Sequence, residues 1–220
     1  MVYDDFSEFV THFTKPTQFG SAYQNQISIC SSRQLIAANP FGIGRNKSPN
    51  TASQQCVCFS EVPLHCLTRI AQRRSRYGIG FKKEFVRSKG AMPIWYVEKD
   101  SSQHLSIQKL MSEAQMNPLL GAHAIWNLTP FIDVPGNHPT GSYRFEWERE
   151  WRCVGDFAFS ELDVAFLVIP EDLHLSACGF FREARDANTG PFYGCPYIDS
   201  NWDAVRVAHA VREGWPHNYM

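Results

Sequence analysis

Residues 143 to 154, Tyr-Arg-Phe-Glu-Trp-Glu-Arg-Glu-Trp-Arg-Cys-Val, constrain this chain more than any other stretch. Read as a β-strand, the segment sends successive side chains to opposite faces. Phe145, Trp147, Arg149, Trp151 and Cys153 share one face, and Glu146, Glu148, Glu150 and Arg152 share the other. The aromatic face suits a core, where Arg149 then needs a carboxylate or a route to water. The opposite face spaces its carboxylates about 7 Å apart. Such a row repels itself unless it is solvated or meets cations. Two readings follow: a strand with one wet face, or a strand that carries a catalytic carboxylate into a cleft.

The remaining pattern is that of an α+β chain. A first strand is expected over residues 8 to 14, ended by Lys15-Pro16. Helical spacing of Phe19, Tyr23, Ile27 and Cys30 follows, with a break at Ser31-Ser32 and a second short strand at residues 35 to 38. Residues 39 to 50 read as a loop. Cys56-Val57-Cys58-Phe59-Ser60 reads as a buried strand, and Pro63 opens a helix that ends near Arg76. Strands are expected at 77 to 81, 93 to 97 and 165 to 170, and helices at 101 to 116 and 203 to 212. Residues 117 to 141, with four prolines and three glycines, read as a long irregular connection of the kind that often serves function.

At 220 residues the chain is expected to be a single domain, 1 to 220, with a core over about 9 to 170 and a C-terminal extension from 171. Its net charge of −1 advertises neither a nucleic-acid nor a membrane partner. No run of 18 apolar residues is present, and the first residues lack the layout of a signal peptide. A cytoplasmic protein without a membrane partner is therefore expected. Seven cysteines without regular spacing fit reduced thiols rather than a disulfide framework.

Candidate chemistry is scattered. Cys56, Cys58, His65 and Cys66 are four soft ligands, but their spacing is not that of a zinc turn, so buried thiols and no metal are expected. Neither Gly42-x-Gly44 nor Gly78-x-Gly80 is a dinucleotide fingerprint, and no P-loop or nucleophile elbow occurs. Between Arg69 and Lys89 eight cations face a single acid, Glu84. Arg69, Arg73 and Arg76 on one helix side could grip a pyrophosphate or a nucleic-acid backbone, or could form a solvated face. Singly, His12, Ser60 and Tyr77 are ordinary core or edge residues. Together with Glu148 and Glu150 they form a set suited to cleaving the nicotinamide–ribose bond of NAD, in which a carboxylate stabilises an oxocarbenium-like cation.

His12-Phe13-Thr14, a helix, and Leu35-Ile36-Ala37 resemble the opening of DarT-like ADP-ribosyltransferase toxins. Cys58-Phe59-Ser60-Glu61-Val62-Pro63-Leu64, Arg76-Tyr77-Gly78-Ile79-Gly80-Phe81-Lys82-Lys83-Glu84 and Glu148-Arg149-Glu150-Trp151-Arg152 resemble AbiGi-type abortive-infection proteins of bacteria. The likeness spans roughly residues 9 to 170. It implies an ADP-ribosyltransferase-like split β-sheet core with a few helices and long loops, acting in phage defence or a toxin–antitoxin pair. The resemblance assigns Glu150, Glu148 and His12 to catalysis. It assigns His12, Phe13, Thr14, Ser60, Arg76 and Tyr77 to binding NAD, which would be the substrate.

Two functions of different class are thus expected. One is an NAD-dependent mono-ADP-ribosyltransferase effector that modifies a nucleic acid or a host protein. The other is a non-enzymatic antitoxin or regulator that binds a cognate toxin, another partner protein or DNA.

Overall fold

The structure, a computed structural model, describes residues 7–116, 123–138, 141–144 and 146–213. Its strands are β1 (Phe9–Phe13), β2 (Gln34–Leu35), β3 (Cys56–Ser60), β4 (Gly78–Lys82), β5 (Met92–Pro93), β6 (Trp95–Tyr96), β7 (Ile132–Asp133), β8 (Gly136–His138), β9 (Gly141–Tyr143), β10 (Glu150–Val154), β11 (Phe157–Ala158), β12 (Val164–Val168) and β13 (Tyr197–Ile198). Its α-helices are α1 (Ala22–Ser32), α2 (Leu67–Arg73), α3 (Lys83–Ser88), α4 (Ser102–Met116), α5 (Ile125–Leu128), α6 (His174–Asp186) and α7 (Ala204–Glu213). The chain is α+β, as expected. It divides into two compact units: Met1–Gln34, Phe59–Val86 and Ala158–Met220 form the first, and Leu35–Cys58 and Arg87–Phe157 the second.

The first unit is built on a mixed sheet. β1 pairs antiparallel with β4 across its whole length, His12 opposite Ile79 and Val10 opposite Phe81. On its other side β1 meets the end of β3, Thr11 opposite Ser60. β4 pairs antiparallel with β12, with a register shift between Val164 and Phe166, and β12 pairs parallel with β13. Val10, Ile79, Phe81, Phe166 and Leu167 are all fully buried in these strands. Gly80 makes that packing possible, because a Cβ there would overlap the Phe166 ring.

Helix α1 starts where Ser21 accepts the Gln24 N–H at 3.2 Å while the Gln24 side-chain oxygen accepts the Ser21 N–H at 2.8 Å. It ends at Arg33, which takes a left-handed conformation and donates its N–H to the Ile29 carbonyl. Its buried Gln26 donates to the carbonyls of Gly78 and Val168, at 2.7 and 3.1 Å, tying the helix to β4 and β12. At the other end of the chain Asp199 accepts from the backbone N–H groups of Asn201 and Glu171, both at 2.8 Å, and from Arg76 at 3.1 Å. Burial alone would raise the Asp199 carboxyl, but these donors outweigh it and hold its pKa below the ordinary value.

The second unit has short strand pairs and one apolar cluster. β5 and β10 are antiparallel, β6 and β7 parallel, and β8 and β9 antiparallel. Ile107, Met111 and Ala114 of α4 pack with Val97, Ile125, Trp126 and Ile132.

Four expectations need correction. Residues 143 to 154 are not one strand: Glu146–Glu148 forms a turn of 3-10 helix and Arg149 has φ 45°. That left-handed residue interrupts the pleat, so alternation starts afresh at Glu150. Phe145 lies outside the described residues. Residues 35 to 38 contribute only the end of β2, and Ile94 separates β5 from β6 in the expected strand at 93 to 97. The described part of 117 to 141 is not irregular, since it holds α5, a 3-10 turn at Thr129–Phe131, β7 and β8. Helix α6 was not anticipated. The glycine- and aromatic-rich composition of its middle hides a helix whose His174, Ala177, Cys178 and Phe181 form the buried stripe.

Two glycines predict opposite effects. Gly80→Ala overlaps Phe166 and is expected to destabilise by about 1–3 kcal/mol. Gly179→Ala, within α6 and with nothing near its Cβ position, is expected to stabilise by about 0.5–1 kcal/mol. Urea midpoints at constant slope read both. A pH series reads Asp199. With its folded pKa below the unfolded one, it contributes stability above about pH 4 that is lost as pH falls through the folded value. The acid limb of stability is therefore expected to be shallower in Asp199→Asn than in the native protein.

Candidate functional site: a buried charge network around Arg152

Strand β10 is buried on both faces. Trp151 and Cys153 occupy one, with the Arg87 guanidinium 5.3 Å above the Trp151 ring and the Cys153 thiol donating to the Lys89 carbonyl at 3.4 Å. Glu150 and Arg152 occupy the other, and they are 8% and 0% exposed. Of the two readings of this face, a wet one and one that carries a carboxylate into a cleft, the wet one is overturned by this burial. A bare ion there would cost several kcal/mol, so its partners decide whether the strand can be inside.

Arg152 has a partner for each of its nitrogens. Nε donates to Glu150 Oε1 at 2.8 Å, Nη1 to the Pro130 carbonyl at 2.7 Å and Nη2 to Asp133 Oδ2 at 2.7 Å. Its plane lies over the Phe41 ring at 5.0 Å. Asp133 shares its other oxygen with Arg45, whose Nη2 donates to Oδ1 at 2.7 Å. The loop holding Arg45 is pinned in turn. Phe41 N–H donates to the Gln54 carbonyl, Ile43 N–H to the Ile132 carbonyl, and Arg45 Nε to the Gly42 carbonyl, all at 2.8 Å. Gly42 has φ 79°, and a Cβ there would overlap the Thr129 carbonyl.

The electrostatics follow from this geometry. Burial alone would lower the Arg152 pKa, but the Glu150 and Asp133 carboxylates reverse that and keep it charged. Burial, then the Glu150 carboxylate that its thiol bonds, pushes Cys58 well up. Burial pushes Cys56 up to about 12, with Arg152 partly opposing. The Tyr96 hydroxyl is raised by burial and by Glu150. Both thiols stay protonated at neutral pH and neither is an activated nucleophile. The arrangement is suited to holding a fixed structure, with Glu150 8% and Glu148 2% exposed.

The residues singled out from the sequence are divided between the units. His12, Phe13, Thr14, Ser60, Arg76 and Tyr77 belong to the first, and Glu148 and Glu150 to the second. His12 packs edge-on against Phe59 at 6.1 Å. The Thr14 hydroxyl donates to the Ala22 carbonyl at 2.8 Å, and its N–H donates to the Tyr77 carbonyl at 3.0 Å. The Tyr77 ring lies 5.6 Å from that of Tyr23. Arg76 is engaged by Asp199. Of the four soft ligands, Cys56 and Cys58 are in the second unit and His65 and Cys66 in the first. Among the described residues no group of three or more His, Cys, Asp or Glu side chains is placed to hold a metal ion.

Sequence reasoning missed Asp133, Arg45, Phe41 and Tyr96. Asp133 stood alone in an apparently irregular stretch. The available signal was Arg152 itself, a guanidinium on a strand next to Trp151 and Cys153, which demands carboxylates from elsewhere in the fold.

A family model described as abortive phage resistance protein AbiGi, antitoxin, matches residues 38–171. No curated protein and no solved structure matches the chain. Among the described residues no helix is long and apolar enough to cross a membrane.

Removal of the central cation tests the network. Arg152→Met keeps the length of the side chain but leaves Glu150 and Asp133 buried without it, and is expected to destabilise by about 3–5 kcal/mol. Urea denaturation measures this loss, and a change of less than about 1 kcal/mol would contradict the network.

Proposed function

Because the chain belongs to the AbiGi family of abortive phage resistance proteins, we propose that it is the antitoxin of a bacterial abortive-infection pair. It neutralises a cognate toxin protein by binding it as a folded partner. The matched segment, residues 38–171, takes in nearly all of the second unit, including Arg45, Asp133, Glu150 and Arg152.

One observation carries this reading beyond the family description. Glu150 and Arg152, from the most distinctive charged segment of the chain, turn inward, with Arg152 enclosed by Glu150, Asp133 and the Pro130 carbonyl. Groups used in this way hold a surface in shape. An antitoxin that works by occupancy needs a surface of fixed shape and needs no reaction centre.

Co-expression tests the proposal. The toxin encoded in the same operon is expected to arrest growth alone, and co-expression of this chain is expected to restore growth. Arg152→Met is expected to lose that protection through lost folding. Unrelieved arrest with the native chain would overturn the reading. Nicotinamide release from NAD by the purified protein, abolished by Glu150→Gln, would replace it with the transferase function expected from the DarT-like resemblance.

A further inference from the structure

Within the first unit, the end of the chain closes over a buried histidine. His174 opens α6 and is 2% exposed. Its Nε2 lies 2.8 Å from the Ile169 carbonyl, and a carbonyl can only accept, so Nε2 carries the proton. The ring packs edge-on against Tyr197 of β13 at 5.9 Å and against Trp202 at 5.5 Å. Burial holds its pKa below the ordinary histidine value, so the neutral ring is the form that this packing takes.

The charges that face this ring are matched without it. Glu171, in the turn before α6, accepts from Trp202 Nε1 at 2.7 Å and from both terminal nitrogens of Arg206 of α7. The Arg206 guanidinium lies 3.8 Å over the Trp202 ring. Asp199, just after β13, accepts from Arg76 and from two backbone N–H groups. The Arg206 and Trp202 hydrogen bonds hold the Glu171 carboxyl below its ordinary pKa, and at Asp199 the donors outweigh burial to the same effect. Neither carboxylate therefore changes its charge between pH 7.5 and 5.5. Cys178 lies one turn further along α6, and burial keeps the Tyr197 hydroxyl neutral.

A second proton on His174 adds a cation beside Arg206, in a site where both of these carboxylates are already engaged by an arginine. Relief requires access to water, and the two sides of the ring are not held equally. On its own side, α6 buries Ala177, Cys178 and Phe181 besides His174. On the other side, α7 buries only Val207 and Ala210 and packs on the turn at Leu64–Cys66. Its ion pair to Glu171 is about half exposed, and such pairs contribute little. The α7 side is thus the one that yields.

We infer that His174 is a pH-sensitive latch: neutral, its ring seats Trp202 and holds α7 on the first unit, and protonated, it releases the segment from Trp202 to Glu213. This device is independent of the antitoxin reading. An exposed histidine takes its proton near pH 6.5 and the buried one at a lower pH, so the closed form binds fewer protons. It is favoured above about pH 6.5 and loses that advantage as the pH falls toward the folded value. Linkage to one proton limits the gain of the open form at pH 5.5 to about ten-fold.

Hydrogen exchange of the purified full chain at pH 7.5 and 5.5, corrected for the intrinsic rate, tests the latch. Protection over residues 202 to 213 is expected to fall about three- to ten-fold at the lower pH, and that of β1 and β4 to stay within about two-fold. His174→Gln can still donate to the Ile169 carbonyl but takes no proton, and is expected to remove this pH dependence. His209→Gln, whose ring pairs with Glu213 on the exposed side of α7, is expected to keep it. An NMR titration of the His174 ring in the native protein is expected to give a midpoint below 6.5, and it decides the matter should His174→Gln fail to fold. Unchanged protection over 202 to 213, an equal loss in His174→Gln, or a ring midpoint at or above 6.5 would each overturn the latch.

Discussion

The second unit depends on one buried guanidinium. Arg152 cannot sit at zero exposure unless Glu150 and Asp133 neutralise it and the Pro130 carbonyl takes its remaining end. Those three acceptors come from β10 itself, from β7 and from the turn before β7. Asp133 also fixes Arg45, and through it the loop from Phe41 to Arg45. Segments distant in sequence are thus held to one geometry by charges that must be matched. Such a network adds little net stability over apolar packing of the same volume, yet breaking it halfway costs several kcal/mol. Against a total stability of roughly 5–15 kcal/mol, that cost is large.

The first unit follows a different logic. Its sheet is held by apolar area from Val10, Ile79, Phe81, Phe166 and Leu167, with a glycine where two layers come closest. Polar side chains serve as ties rather than as a centre. Gln26 joins α1 to two strand carbonyls, the Tyr193 hydroxyl donates to the Cys30 carbonyl at 2.7 Å, and Asp199 gathers two backbone N–H groups and Arg76. Each tie satisfies a backbone group that burial would otherwise leave without a partner.

These two logics bear on function in the same direction. In the second unit the Cys56 and Cys58 thiols are raised, and the Arg152 guanidinium is buried between the Glu150 and Asp133 carboxylates. Neutralisation of a partner by occupancy uses those properties, because affinity then rests on a surface that needs little ordering when it binds.

Much of the fold was legible in the residues. The apolar runs of β1, β3, β4 and β12 marked buried strands, the spacing in α1 and α4 marked helices, and Pro63 marked the turn that leads into α2. The Glu150–Val154 strand and the opposition of its two faces were also legible, as was the family likeness in the Glu148-to-Arg152 run. Local pattern could not tell which face was wet. That depended on Asp133 and Pro130 arriving from 19 and 22 positions before Arg152, and on Phe41 from further still, and a partner at such separation leaves no periodic trace. The break at Arg149 escaped for the same reason, since an alternating pattern says where side chains would point on a strand and not whether the strand continues. Local spacing and apolar runs thus marked β1, β3, β4, β12, α1 and α4, while α6 and the break at Arg149 left no such local mark. That Glu150 and Arg152 lie inside was settled by the fold, because the pairing of a buried charge depends on what the fold brings beside it.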